Sequence, residues 1–221
     1  MYRTKQEKRW AGELGNKYTK HNTIYATEEN KNTLARGQEH VRQNVILFDK
    51  IFKGFPFKKV KSVLEFGAGV GMNLIVLKDV FPKARLSAVE INQQAADKLK
   101  NVTDSKNIFV QSMFDPLPIT ADLVLSKGLL IHINPRFLKK AYSQLYNHSN
   151  RYIILVEHYS RKPKRIEYRG YKDAFWKRHF AGEMLAQYPD LKVLRSGPVK
   201  ASFGPGANAS FRWYLMQKGK V

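Results

Sequence analysis

The stretch Val63-Leu-Glu-Phe-Gly-Ala-Gly-Val-Gly-Met-Asn73 decides the fold. An apolar run ends in an acid, glycines follow at 67, 69 and 71, and a helical pattern begins at Asn73-Leu-Ile-Val-Leu77. The glycines therefore fall on a strand-to-helix turn. Glycine suits such a turn because the chain reverses tightly and its backbone can meet a ligand, while the new helix offers N–H groups. From Val60 onward the pattern alternates: strand 60–66, helix 72–80, strand 85–90, helix 93–101, strands 107–111 and 121–126, helix 135–147, strand 152–158. That alternation predicts an α/β, Rossmann-like fold with a mostly parallel sheet, right-handed crossovers and a site at the carboxyl ends of the strands.

The spacing then selects the ligand. A dinucleotide fingerprint needs G-x-G-x-x-G, yet the residue three after Gly69 is Met72, and the third glycine stands one place early at Gly71. Glu65, at the strand end, would repel a pyrophosphate but pair with the ammonium of an amino-acid-bearing cofactor. S-adenosylmethionine (SAM) carries that ammonium. The next predicted strand, Lys83-Ala-Arg-Leu-Ser-Ala-Val-Glu90, ends in a second acid 25 residues after Glu65. An acid about 20 residues past the turn meets ribose hydroxyls in βαβ sites, so Glu90 is the expected ribose ligand. The plain alternative is a tight turn that binds nothing.

With 221 residues and 43% apolar content, the chain can form one sizeable core. Cysteine is absent, which excludes disulfide frameworks and thiolate metal sites. The first residues lack an apolar signal core, and runs such as Tyr152 to Val156 are far short of a bilayer span, so a cytoplasmic protein without a membrane span is expected. The net charge of +21 is unevenly spread. Ser62 to Thr120 balances six bases with six acids, whereas Lys31 to Lys61 and Arg161 to Arg178 each carry eight bases against two acids. The excess points to an acidic small molecule or a nucleic acid; solvated surface lysines are the bland reading.

Residues 5–20 read as a helix with Trp10, Leu14 and Tyr18 on one face, and a second helix runs from about Thr27 to Phe52, stopped by Gly54-Phe-Pro56. These give an N-terminal helical cap over 1–55, with the cofactor-binding domain over 56–221. After a polar, basic loop from Ser160 to Asp173 come a helix over 175–187 and two strands, Leu191 to Val199 and Phe211 to Gln217, around the turn-rich Gly204-Pro-Gly-Ala-Asn208.

The E-F-G-A-G-V-G turn and the order of elements resemble class I SAM-dependent methyltransferases, which implies a seven-stranded sheet whose last strand is antiparallel. A narrower resemblance spans nearly the whole chain. Trp10-Ala-Gly-Glu-Leu-Gly15, Ser126-Lys-Gly-Leu-Leu-Ile-His-Ile-Asn-Pro135, Ser149-Asn-Arg-Tyr-Ile-Ile-Leu155, Tyr168-Arg-Gly170 and Phe180-Ala-Gly-Glu-Met-Leu185 with Tyr188-Pro-Asp-Leu191 are similar to methylases associated with pseudaminic acid biosynthesis. That resemblance implies methyl transfer to an oxygen or nitrogen of an acidic, sialic-acid-like sugar or nucleotide-sugar. It also implies that Glu65, Gly67, Ala68, Gly69, Gly71 and Asn73 hold the methionine part of SAM, and Glu90 with Ile91 the ribose and adenine. Ser112 and Met113 would flank the adenine, and Lys127 and Gly128 would line the methyl-bearing end. Tyr171 and His179 depart from the family pattern, and both concern the acceptor end.

SAM chemistry needs alignment of the acceptor and, for a hydroxyl, removal of a proton. His132 and His158, at strand ends, are the candidate bases, and either could be a structural histidine. Tyr159, Tyr168 and Arg169 are the candidate acceptor contacts, Arg169 through its fork of donors. Trp10 and Tyr18 either close over the cofactor or simply pack. An RNA methyltransferase and a non-catalytic SAM-binding protein are the rival readings.

Overall fold

The computed structural model describes residues 2–23, 31–54, 60–199 and 210–219. The expected helix start near Thr27, much of the Gly54-Phe-Pro56 stop and the Gly204–Asn208 turn lie outside them. The chain forms two compact units, Met1–Leu117 and Pro118–Val221.

In the first unit, α1 (Lys5–Ala11) begins at a capping box: Thr4 accepts from the Glu7 N–H, and the Glu7 carboxylate accepts from the Thr4 N–H. Gly12 ends α1 and starts α2 (Glu13–His21), so the single helix expected over 5–20 is two. The predicted face persists across the break, because the Trp10 and Tyr18 rings meet edge-to-face at 5.4 Å. Helix α3 (Lys31–Phe52) buries Phe48 and Ile51, and Phe52 meets Phe81 edge-on. Then come β1 (Ser62–Phe66), α4 (Met72–Val80), β2 (Arg85–Glu90), α5 (Gln93–Leu99) and β3 (Ile108–Val110). Strands β1 and β2 pair in parallel from Ser62↔Arg85 to Phe66↔Val89. Both read as continuous apolar runs because both sheet faces are covered, with Val63, Leu64 and Ala88 fully buried.

The second unit holds β4 (Ala121–Lys127), α6 (Leu138–Asn147), β5 (Ser149–His158), β6 (Lys164–Tyr168), β7 (Tyr171–Lys177), α7 (Phe180–Gln187), β8 (Lys192–Pro198) and β9 (Phe211–Gln217). Two short 3-10 turns, Leu130–His132 and Pro135–Phe137, precede α6, so the predicted helix over 135–147 is α-helical only from Leu138. The basic loop expected from Ser160 to Asp173 is instead a hairpin, and the helix expected from 175 starts at Phe180. Residues 171–177 form a strand that pairs antiparallel with β6 and buries Ala174, Phe175 and Trp176 in succession.

The main sheet runs β3-β2-β1-β4-β5-β9-β8, with β9 antiparallel to both its neighbours; β6 and β7 form a separate two-stranded sheet. This is the Rossmann-like architecture, with N-terminal helices, that the alternating pattern predicts. Among the described residues, no helix is long and apolar enough to cross a membrane.

Candidate active site

In the first unit, the carboxyl ends of β1 and β2 hold two buried acids. Glu65 is fully buried, and its Oε1 accepts from Asn73 Nδ2 at 2.5 Å. Asn73 Oδ1 is itself buried and has no hydrogen-bond partner among the described residues, and so is Asn44 Oδ1, whose Nδ2 donates to the Met72 carbonyl. An unsatisfied buried acceptor is costly unless a donor arrives, and for Asn73 Oδ1, whose amide is bonded to the Glu65 carboxylate, an ammonium is a matching donor. Gly67 and Ala68 donate to the Val89 carbonyl, which fixes the turn to β2.

The glycines of the turn serve different ends. Gly71 has φ +89, and a Cβ there would come within 2.9 Å of Leu99 and Val102, so its constraint is internal packing. Gly69 has φ +55, and among the described residues other than its two chain neighbours no atom lies within 4 Å of where its Cβ would be. Its bare side thus presents backbone toward space the protein does not fill, the cradle a ligand requires.

Glu90 ties this loop to the next turn: Oε2 accepts from the Gly69 N–H at 2.7 Å, and Oε1 from the Asn92 N–H at 2.8 Å. Burial pushes its carboxyl up from the usual range, opposed by those N–H bonds. Asn92 caps α5 and also donates from its side chain to the Trp10 carbonyl and to Asn16. Ile91, beside it, is half-buried. Met113 is buried, and the Ser112 hydroxyl donates to Glu7 Oε1 and accepts from the Phe114 N–H. Trp10 and Tyr18 belong to the helices that make these contacts, and both are half-buried.

In the second unit, Lys127 and Gly128 follow β4; Gly128 has φ +68 and donates to the Val156 carbonyl. His132 lies in the next turn, 9% exposed, with Nδ1 2.7 Å from the Ala174 carbonyl. A carbonyl only accepts, so Nδ1 carries the proton and Nε2 the lone pair. Burial, opposed by that bond and reinforced by the charge of Arg169, lowers the His132 pKa to about 4. Its ring lies 5.1 Å from Tyr168 and 5.7 Å from Phe175.

His158 ends β5 between Phe175 and Phe211, with Nδ1 2.9 Å from Ser210 Oγ. Burial and the charge of Lys177 lower its pKa to about 3. Lys177 donates to the same Ser210 oxygen at 3.0 Å. Arg169 and Gly170 form the hairpin tip, both with positive φ, and the Arg169 guanidinium lies 5.5 Å from the centre of the Tyr168 ring. Tyr159 is flanked by Arg212 at 5.3 Å and His179 at 5.1 Å.

Sequence reasoning missed Asn44, Asn92 and Glu157. Glu157, at the end of β5, is 4% exposed; its Oε1 accepts from Ser126 Oγ at 2.9 Å and from the Leu129 and Leu130 N–H groups at 3.1 Å each. The available signal was an apolar strand closing on a glutamate, as in Val-Leu-Glu65 and Ala-Val-Glu90.

Solved structures share this fold at low identity. Magnesium protoporphyrin IX methyltransferase from Synechocystis PCC 6803 with bound SAM superposes with a TM-score of 0.67 at 12% identity, covering 99% of this chain and 100% of that one. A SAM-dependent methyltransferase from Leishmania major gives 0.66 at 15% identity, covering 96% and 86%. The O-methyltransferase of a Brevibacillus brevis trans-AT polyketide synthase, in complex with S-adenosyl-L-homocysteine (SAH), gives 0.60 at 16%, covering 99% and 81%. Among curated proteins, no sequence matches the chain. A family model described as a methyltransferase domain matches residues 38–188, more than half of the chain. The chain therefore belongs to the methyltransferase domain family, with SAM as its cofactor, and is a SAM-dependent methyltransferase.

Proposed function

We propose that this methyltransferase acts on an oxygen or nitrogen of an acidic sugar or nucleotide-sugar of the nonulosonic type, as its resemblance to the pseudaminic acid-associated methylases implies. The observation that carries the reading is Arg169, a non-glycine residue at φ +51 whose charge is felt by His132. A side chain retained in the left-handed region costs about 1 kcal/mol, and a forked cation held over a tyrosine suits a carboxylate. Tyr168 and Tyr159 complete the acceptor contacts in this reading.

SAM supplies a methyl group already activated on a sulfonium. In this reading Glu65, Asn73 and the backbone of Gly67, Ala68, Gly69 and Gly71 hold its methionine part, with Asn44 adding an acceptor. Glu90 and Ile91 take the ribose and adenine, Ser112 and Met113 flank the adenine, and Lys127 and Gly128 line the methyl-bearing end. The segment 1–55 serves as a cap on the binding domain 56–221, with Trp10 and Tyr18 in it. His132 is the better base of the two histidines, because its Nδ1–H is committed to a carbonyl and its lone pair sits on Nε2. At His158 the Nδ1 contact is a hydroxyl, Ser210 Oγ, which can donate or accept and so does not commit the ring proton to one nitrogen.

The test is methyl transfer from labelled SAM to CMP-N-acetylneuraminic acid and to the free sugar as probes, beside calorimetric titration with SAH. Label entering either probe, with turnover lost in Arg169→Ala while SAH still binds, supports the reading. SAH binding with no transfer to any acidic sugar overturns the acceptor. The exposed Lys164 and Arg165 on β6 favour RNA as the second acceptor class. That reading requires affinity for bulk RNA to fall steeply with salt; a flat, weak response retires it.

A further inference from the structure

Three strands of the main sheet, β1, β2 and β5, carry a glutamate in their last two positions, and only Glu65 and Glu90 have a part in the proposed cofactor site. Glu157 is the third. Its Oε1 gathers Ser126 Oγ and the N–H groups of Leu129 and Leu130, so one oxygen holds the segment that runs from Gly128 toward His132. Its Oε2 is buried and has no partner among the described residues. Buried polar atoms are normally hydrogen-bonded, so a carboxylate with three donors on Oε1 and an unpartnered, buried Oε2 has room there for a proton.

We propose that Glu157 is the positioning residue of the methyl-transfer turn: Oε1 shapes the segment from Gly128 to Ile131, and Oε2 takes a single buried proton that loosens it. The inference rests on the reading of Lys127 and Gly128 as methyl-end residues and of His132 as the base. Protonation at Oε2 leaves Oε1 in place as an acceptor but removes its charge, and charge-assisted hydrogen bonds are about twice as strong as neutral ones. Turn geometry, and with it the placing of His132, is therefore firmer above the titration than below it. Misplacing a reacting group by about 1 Å costs up to about a hundredfold in rate.

The surroundings put that titration near neutrality. Burial raises the Glu157 pKa to about 7, against the opposing bonds from Leu130, Ser126, Leu129 and Ile131. The ionisable groups on the elements packed around it are Tyr142 of α6, with Glu183 and Arg178 beyond it, Arg212 across the β5–β9 ladder, Lys127 of β4 and His132 of the turn. Tyr142 is pushed up by burial and by Glu183, with a smaller push from Glu157 itself, and His132 is pushed down to about 4. Those two are driven away from neutral pH, whereas Glu157 is driven toward it.

The decisive measurement follows the backbone amides of Leu129 and Leu130 by NMR from pH 5 to 9 in the full chain. Both should titrate with one shared midpoint near 7, and Glu157→Gln should abolish the step; amides that stay flat in the wild type overturn the proposal. Glu157→Gln should bind SAH within about twofold of wild type and lose about tenfold in methyl transfer to the sugar probe, with Glu157→Asp recovering part of the loss. Unchanged turnover in Glu157→Gln also overturns it. If Glu157→Gln does not fold, the wild-type amide titration alone decides. Absence of SAH binding in wild type would instead strike at the cofactor reading, while flat amides with intact SAH binding strike at Glu157 alone.

Discussion

The turn after β2 and the turn after β4 are built from the same parts and finished differently. In each, a glutamate at a strand end accepts backbone N–H groups from a glycine-bearing loop. Glu90 shares its donors between its oxygens, Gly69 on one and Asn92 on the other, while Glu157 collects three on Oε1. The first arrangement gives each carboxylate oxygen its own backbone donor and ties the Gly69 loop to the turn after β2. The second leaves one oxygen to titrate. Burial raises the pKa of both carboxylates, so what separates the two turns is how the donors are distributed between the oxygens.

The largest effect should fall on the turn after β4. His132→Ala should lower kcat by about 10²- to 10⁴-fold with the SAH dissociation constant unchanged, whereas His158→Ala should stay near the wild-type rate. Steady-state kinetics with the sugar probe decides, and equal losses would erase the distinction between the histidines. Next comes the cradle. Glu65→Ala strands Asn73 Nδ2 and removes the ammonium partner, and should weaken SAH by about 3 kcal/mol in calorimetry. Glu90→Ala should cost about 1–3 kcal/mol, and an unchanged dissociation constant would remove Glu90 from the site.

Acid titration sharpens the contrast further. His132 and His158 have folded pKa values of about 4 and about 3 against 6.5, so the unfolded chain binds more protons and stability falls as pH drops below about 6.5. For His132 that loss is about 3 kcal/mol at most. Glu157 runs the other way: with its pKa raised from 4.5 to about 7, the folded state binds the proton more tightly and stability rises as pH falls from 7 to 4.5. Glu157→Gln should therefore steepen the fall in Tm on acidification, and parallel curves would contradict the buried titration. The smallest effect belongs to the hairpin: Arg169→Gly should raise stability by about 0.5–1 kcal/mol in thermal melts while weakening the acceptor.

Much of this was legible in the chain because parallel strands buried on both faces read as plain apolar runs, and strand-end acids stand out against them. The strand-to-helix turn with Gly69, and the buried acids Glu65 and Glu90 near the ends of β1 and β2, were readable from the sequence. The hairpin β6–β7 could not, since Lys164, Arg165 and Glu167 are all exposed and imitate a solvated loop, and only Ala174, Phe175 and Trp176 betray a buried strand. Phe175 and Trp176 instead fell inside the helix predicted over 175–187, which begins only at Phe180. Asn44 and Asn92 were hidden for a different reason, because a buried amide carries no sequence period. Which histidine keeps its lone pair at Nε2 depends on the Ala174 carbonyl, 42 positions away in the chain.

The β6–β7 ladder is separate from the seven-stranded one, so the strip carrying Tyr168 and Arg169 shares no strand register with β1 and β2, where the cofactor site is proposed. Such a strip can be trimmed, lengthened or exchanged between relatives without shifting any rung of the larger ladder. A methyltransferase drawn this way would change its clientele by swapping a hairpin while its methyl supply stayed as it was.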